Sequence, residues 1–500
     1  MMIMAKKLFF LAIFLVPAFW GCNTNEETPY RPVAAFRILG YDSKTPRIEQ
    51  GDPVVLQDES FDMDGEVVKW HYDFGDGFVS EEQNPTHVYE TLGRYTITLT
   101  TEDNSGLTSA NTYRRDVQIV EPSFADEEPS ILWTFDIPGA TKWNKSGITV
   151  GDDGTAYVGV DGDGSMDNIY AVDKNGNKRW SYKTPSGHIF GSMPLTHDDK
   201  ILYGTEKSGY VFALNTADGS PLWQNQVSTA VSYGGTVLSK DESTLYIGCY
   251  TGTNDIKAIN TADGTVKWEV SPPNGIRTTA AIDSNGNIYI ADLYRRLYAI
   301  DPDGNVIWSV TDKKSRTANP ISLDETRGVM YIGTSGTHFY AVNISDGSVK
   351  WENTMTDGVY LNGAAIGEDG TVYITSESDK MIRALNPDDG SVLWEYECKG
   401  AVKATPTIDR KGNLYFGDLA GYFYVLTSQG MDAWKPVRLS GEIWSACALS
   451  SEGIIYVLAY DELGNGNKLY ALKTEGTPIA TSGWPTRSNN NKRTGRNDNP

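Results

Sequence analysis

The chain has 500 residues, more than one ordinary hydrophobic core accommodates, so several domains or a repeat array are expected. Its formal net charge of -22 excludes a general nucleic-acid binder, because an acidic surface repels phosphate instead of replacing its counterions. Abundant Gly (50), Tyr (28) and Trp (13), without long apolar helical stripes, suit short strands joined by tight turns.

Residues 1–21 read as an export signal. Lys6 and Lys7 precede the apolar run LFFLAIFLVPAF, which is shorter than the ~20 residues a spanning helix needs. The run ends in Phe19-Trp20-Gly21-Cys22, which resembles the lipobox of bacterial lipoproteins, although Trp20 is bulkier than the usual residue. The resemblance implies cleavage before Cys22 and lipid attachment to its sulfur, hence a membrane anchor. The tether 22–32 opens with Asn23-Thr24-Asn25-Glu26-Glu27, similar to the acidic stretch that sends Bacteroidetes-type lipoproteins to the cell surface. Outer-membrane attachment facing the medium is expected, with the periplasmic side as the alternative. Three further cysteines, Cys249, Cys398 and Cys447, make an odd set, so no full disulfide framework is expected.

Residues 33–120 form a first module of alternating strands. In WHYDFGDG, Trp70, Tyr72 and Phe74 share one face of a strand, and Asp73-Phe74-Gly75-Asp76-Gly77 turns sharply. With NPTHVYETLGRYTITLT behind it, the stretch resembles the PKD domain, an immunoglobulin-like β-sandwich. Its aspartates are expected to bond turn amides rather than calcium. Family members act mostly as spacers and adhesion modules. The acidic, Pro-containing EPSFADEEPS (121–130) reads as a linker.

From 131 a period takes over. YAVDKNGNKRW (170–180) returns as FALNTADGSPLW, KAINTADGTVKW, YAIDPDGNVIW, YAVNISDGSVKW, RALNPDDGSVLW, YVLTSQGMDAW and, lengthened, YALKTEGTPIATSGW. Trp133, Trp180, Trp223, Trp268, Trp308, Trp351, Trp394 and Trp434 recur at intervals of 40 to 47 residues. Strand–turn–strand segments such as GAAIGEDGTVYITS fill the intervals, giving four short strands per unit, the signature of a propeller blade. The phrase is similar to the tryptophan-docking motif of PQQ-like β-propellers. Small Ala lets sheets approach, Asp/Asn and Gly turn the chain, and Trp buries a ring against the next blade. The expected fold is therefore all-β, a PKD sandwich followed by an eight-bladed propeller over 131–484. Trp133, which lacks a preceding phrase, places 131–135 as the outer strand of the last blade, closing the ring. The tail 485–500 is given no role beyond covering that seam.

The turns at one end of the propeller, DDG, SNG, EDG and RKG, are uniformly short. The loops at the other end vary, and binding is more often carried by variable loops. Five residues before the apolar residue of each inner turn stand Trp143, Phe190, Tyr233, Arg277, Arg316, Leu361, Lys403 and Trp444. Ring geometry would set them around the channel mouth, where seven of them, all but Leu361, form a candidate site for a sugar or an anion. Plugging of the channel by bulky side chains is the competing reading. Two long loops, DGDGSMDN (161–168) and YDELGNGN (460–467), lie in neighbouring blades and mark a candidate contact sector. The first lacks the acidic closing residue of a calcium loop. The five histidines are scattered without metal-ligand spacing, and no nucleophile–base signature appears.

These features imply a non-enzymatic, lipid-anchored chain without cofactor or metal, acting as a monomer. Its expected partners are the membrane, through Cys22, and a glycan or protein ligand, as in an adhesion or scaffold role. One alternative is an assembly factor of the outer-membrane β-barrel machinery, whose propeller subunit the array resembles but which has no PKD module. The other is a quinoprotein dehydrogenase, whose calcium site, catalytic Asp and Cys pair cannot be placed here.

Overall fold

The structure is a computed structural model. It describes residues 29–494 apart from 42–45, 121–128, 140–145, 163, 232–234, 251–254, 277, 295, 312–319, 335–336, 355–362, 462–465, 475–477, 482, 487 and 491. The export signal, Cys22 and most of the linker therefore lie outside the described residues. So do Trp143, Tyr233, Arg277, Arg316 and Leu361. Every described regular element is a β-strand. The chain divides into two compact units, Met1–Pro122 and Ser123–Pro500.

The first unit is a sandwich. Phe36–Ile38, Pro53–Asp58 and Thr86–Val88 form one sheet. Arg47–Glu49, Tyr113–Val120, Gly93–Asp103, Val67–Asp73 and Val79–Ser80, in that spatial order, form the other. The alternation read from the sequence fills the space between them: Tyr72 and Phe74 are buried with Phe36, Leu56, Ile97 and Leu99, and Trp70 packs at the margin. The aspartates of the sharp turn bond amides, Asp73 accepting from the Gly75 N–H at 2.8 Å and Asp76 from Phe78 at 3.1 Å. Asp76 also pairs with His87 at 2.7 Å.

The second unit is a succession of antiparallel sheets. It begins with Thr149–Val150, Ala156–Gly159, Ile169–Val172 and Lys178–Tyr182, and the same four-strand order repeats along the chain. In the second sheet the innermost strand is reduced to a single bridge, Leu195 to Leu202. In the last, Ala448–Leu449, Ile454–Tyr460 and Gly466–Lys473 are completed by Ile131–Pro138 from the start of the unit. That strand runs antiparallel from Ile131 opposite Leu472 to Pro138 opposite Gly466. The last sheet then packs on the first, with Ile137, Leu458 and Leu469 in one cluster with Val150, Val158 and Val172. The ring closes as the lone Trp133 predicted.

The repeated phrase has a specific geometry. Ala stands opposite Trp, as in Ala171–Trp180, Ala299–Trp308 and Ala384–Trp394, and a bulge follows at once; in the seventh phrase Val425 takes the Ala position opposite Trp434. Ala471 opposes Trp133 in the same way, so Trp133 occupies the docking position of the last sheet. Seven of these indoles, Trp434 aside, bond the following blade among the described residues. Trp180 donates to the Thr216 carbonyl at 2.7 Å, Trp351 to Pro387 at 2.9 Å, and Trp133, across the closure, to Lys174 at 2.8 Å. The accepting carbonyl belongs to the turn of the next phrase, whose Gly lies beneath the ring. At Gly390 (φ 74°) a Cβ would stand 2.5 Å from Trp351. This glycine thus serves a left-handed turn and a close approach together. A tyrosine on the second strand of each sheet tilts against the same indole, for example Tyr331 with Trp351 at 5.7 Å. The phrase joins each sheet to the next.

Candidate functional site

Three mouth positions lie among the described residues, and all are largely buried. Lys403 and Trp444 come together, the ammonium 4.3 Å from the indole centroid. Lys403 also pairs with Glu377 at 2.8 Å, and the indole N–H donates to Glu442 at 2.7 Å. Trp444 is 8% exposed. With a cation over its ring, a sugar would have little of that surface left to stack on. Phe190 is also 8% exposed and stacks with His188 at 6.1 Å. His188 is tied to Asp161 at 2.5 Å, so the first aspartate of the DGDGSMDN loop is held by an imidazole. Asp167 in the same loop accepts from the Ser181 hydroxyl at 2.6 Å. At these positions the geometry is that of packed, mutually neutralised side chains spanning adjacent blades.

At the short-turn end the chain itself crosses the inner strands, which extends the expectation for the tail. The described residues of 478–494 bond the innermost strands at the short-turn end, and through Arg493 they also reach both sides of the seam. The Ile366 and Trp484 backbones exchange bonds of 2.8 and 3.0 Å. Ile408 donates to Pro485 at 2.8 Å, Leu195 to Lys492 at 3.0 Å and Leu238 to Thr494 at 2.9 Å. Ile366, Ile408, Leu195 and Leu238 belong to the apolar row used to align the repeats. Their strands are short and present an inward edge of unpaired backbone groups, which a crossing segment satisfies. Trp484, which ends the lengthened last phrase, is 1% exposed beside Ile366.

Arg493 secures this segment. It is fully buried, at φ 53°, and donates to the Ile148 carbonyl at 3.0 Å, the Cys447 carbonyl at 2.8 Å and the Thr486 hydroxyl at 2.9 Å. Its guanidinium therefore ties the tail to the first and last sheets at once. Lys492 beside it pairs with Asp199 at 2.8 Å and Asp152 at 3.0 Å. Burial works against that ammonium, but the two carboxylates outweigh it and raise its pKa.

The cysteines are structural. Cys249, Cys398 and Cys447 are buried free thiols, and Cys447 donates to the Tyr415 carbonyl at 3.3 Å. Burial pushes the Cys249 and Cys447 thiols up to about 11 and raises Cys398 well above its ordinary value. A soluble form beginning after Cys22 is therefore expected to leave a colorimetric disulfide reagent unreacted at pH 8 while folded. All three thiols should react once the chain is unfolded in guanidinium. A thiol titrating in the native protein would contradict the packing. Among the described residues no three His, Cys, Asp or Glu side chains converge as a metal-holding set.

At the seam a cavity of about 440 Å³ opens between the closing strand and the first sheet. It is lined by Phe135, Asp136 and Pro138 on one side and Ser165, Met166, Asp167, Tyr170 and Lys178 on the other. The long loop 161–168 contributes to it, so the sector marked in the sequence holds a cleft.

Comparison with known proteins agrees with this architecture. A family model described as outer membrane protein assembly factor BamB matches residues 123–252, 207–360 and 358–492, and a PKD domain model matches 42–119. Collagenase ColQ1 of Bacillus cereus (strain Q1) is 40% identical over 73 residues, 15% of this chain and 7% of that protein. Collagenase ColA of Clostridium perfringens (strain 13 / Type A) is 32% identical over 112 residues, 21% of this chain and 9% of that protein. The chain thus spans less than a tenth of the length of these curated relatives. Among solved structures, BamB from Moraxella catarrhalis gives a TM-score of 0.53 at 15% identity, covering 70% of this chain and 98% of that one. The computationally designed Ika8 protein gives 0.55 at 12%, covering 67% and 98%. A europium-containing methanol dehydrogenase gives 0.54 at 12%, covering 69% and 93%. At these identities the likeness is one of fold.

Proposed function

The chain belongs to the PQQ_2 family, described as outer membrane protein assembly factor BamB, and on that premise we propose that it is a non-enzymatic, lipid-anchored binding scaffold. In this reading Cys22 carries the lipid, the PKD domain holds the propeller away from the outer membrane, and the variable-loop end meets a glycan or protein ligand. The observation that carries it is the blocked axis. Residues 478–494 occupy the short-turn end of the channel, and the recurring Trp, Ala, Tyr and Gly residues are used to join blades. What remains for recognition is the loop end and the outer rim, which suits docking more than chemistry on a small molecule.

The anchor is tested by Cys22→Ala. The variant should leave the membrane fraction for the soluble fraction, and mass spectrometry of the parent should show an acylated amino-terminal cysteine. A parent chain without acyl groups would remove the anchor from the proposal. Labelling of intact cells with an impermeant amine reagent reports the exposed side, and absence of labelling would place the protein toward the periplasm.

The family match favours a second reading, a subunit that serves barrel-protein assembly. Mild detergent extraction followed by affinity capture separates the two. Stoichiometric recovery of the barrel insertase supports assembly, and its absence together with surface labelling supports the scaffold.

A further inference from the structure

We propose that the seam cleft binds a single pyranose unit of a glycan, a proposal that rests on the binding reading above and gives it an address. The cleft exists because the ring closes there: one wall is the strand Ile131–Pro138 and the other is the first sheet with its long loop. Its volume, about 440 Å³, falls in the range of small-ligand sites.

The walls offer an apolar surface. Phe135 and Tyr170 meet edge to face at 6.1 Å, with Phe135 only half-buried. Met166 is 40% exposed and supplies an adaptable thioether. The C–H face of a sugar ring packs against such groups much as another apolar ring would.

The rim offers donors and acceptors. Asp136 is held by Lys468 at 3.2 Å. The Asp167 carboxylate accepts from Ser181, and its backbone carbonyl accepts from the Tyr170 hydroxyl at 2.8 Å. Lys178 is exposed and has no ion-pair partner among the described residues. In a chain of net charge -22 this rim carries both signs in near balance. A charged peptide side chain gains little net attraction there, whereas a neutral polyol uses carboxylates as acceptors and the ammonium as donor. The mouth is the weaker candidate, because Lys403 already covers the Trp444 ring.

The test is calorimetric titration and saturation-transfer NMR of the soluble chain. The probes are maltotetraose, cellotetraose, xylotetraose, mannotetraose and chitotetraose, each taken to millimolar concentration. At least one should bind. Met166→Arg, which fills the cleft from an exposed position, should weaken that binding by about tenfold or more at unchanged melting temperature. Phe135→Ala should do the same, and Met166→Arg carries the test if Phe135→Ala does not fold. Sugar binding that survives Met166→Arg overturns the cleft while leaving the binding scaffold in place. Binding of none of these sugars, or of an extended peptide in their stead, overturns the proposal.

Discussion

Replacing Arg493 by methionine should destabilise the propeller unit by about 3–5 kcal/mol. Methionine keeps much of the apolar stem but removes the donors, leaving the Ile148 and Cys447 carbonyls and the Thr486 hydroxyl without their guanidinium in a dry site. Each orphaned acceptor costs on the order of 1–3 kcal/mol. In a unit of this size that lowers the melting temperature by roughly 5 °C, readable by circular dichroism or differential scanning fluorimetry. Arg493→Lys should fall between, since an ammonium cannot span three acceptors in the plane of the fork. Ending the chain at 477 should cost more than the point variant, because it also exposes the edges at Leu195, Leu238, Ile366 and Ile408. If the truncated chain melts with the parent, the tail lies in the channel without supporting it.

Trp351→Ala should cost a similar amount, about 3–5 kcal/mol. The indole is 8% exposed, lies over Gly390 and contacts Tyr331 and Phe339. Its removal opens a void between two blades that neither sheet can collapse to fill. Trp351→Phe isolates the polar part: it keeps a ring but leaves the Pro387 carbonyl without its donor, for a loss of about 1–3 kcal/mol. Trp268, at the same position but more exposed, should tolerate alanine better. Equilibrium denaturation in guanidinium reads all three as shifts in midpoint. A Trp351→Phe variant as stable as the parent would show that the cross-blade hydrogen bond is idle.

The docking layer was legible because its residues recur at fixed spacing and each does one steric task. Ala must be small opposite Trp, and Gly must turn and lie flat beneath it. The closure was legible for the same reason, since Trp133 is a docking residue with no phrase in front of it. The tail was not legible. It joins the inner strands through backbone groups, which any sequence carries, so TRSNNNKRTGR has no period to betray it. Trp484 ends the last phrase without docking a blade, since Ala471 is already matched by Trp133. At the mouth the bulk of Phe190, Lys403 and Trp444 was predictable, but not what surrounds them. Glu377 and Glu442 come from irregular segments whose positions follow no repeat, so the neutralisation of Lys403 and the capture of the Trp444 N–H appear only in three dimensions. The seam cleft was marked by loop length alone; its chemistry depends on Phe135 and Asp136 arriving from the far end of the unit.

The strand Ile131–Pro138 leaves the ribosome early and must wait, edge bare, until Gly466–Lys473 follows. Until then the unit is an open fan of sheets, vulnerable to swapping its edges with a sister molecule. Only when Gly466–Lys473 receives that strand does the circle lock, so the fold is completed by a pairing that spans almost the whole unit.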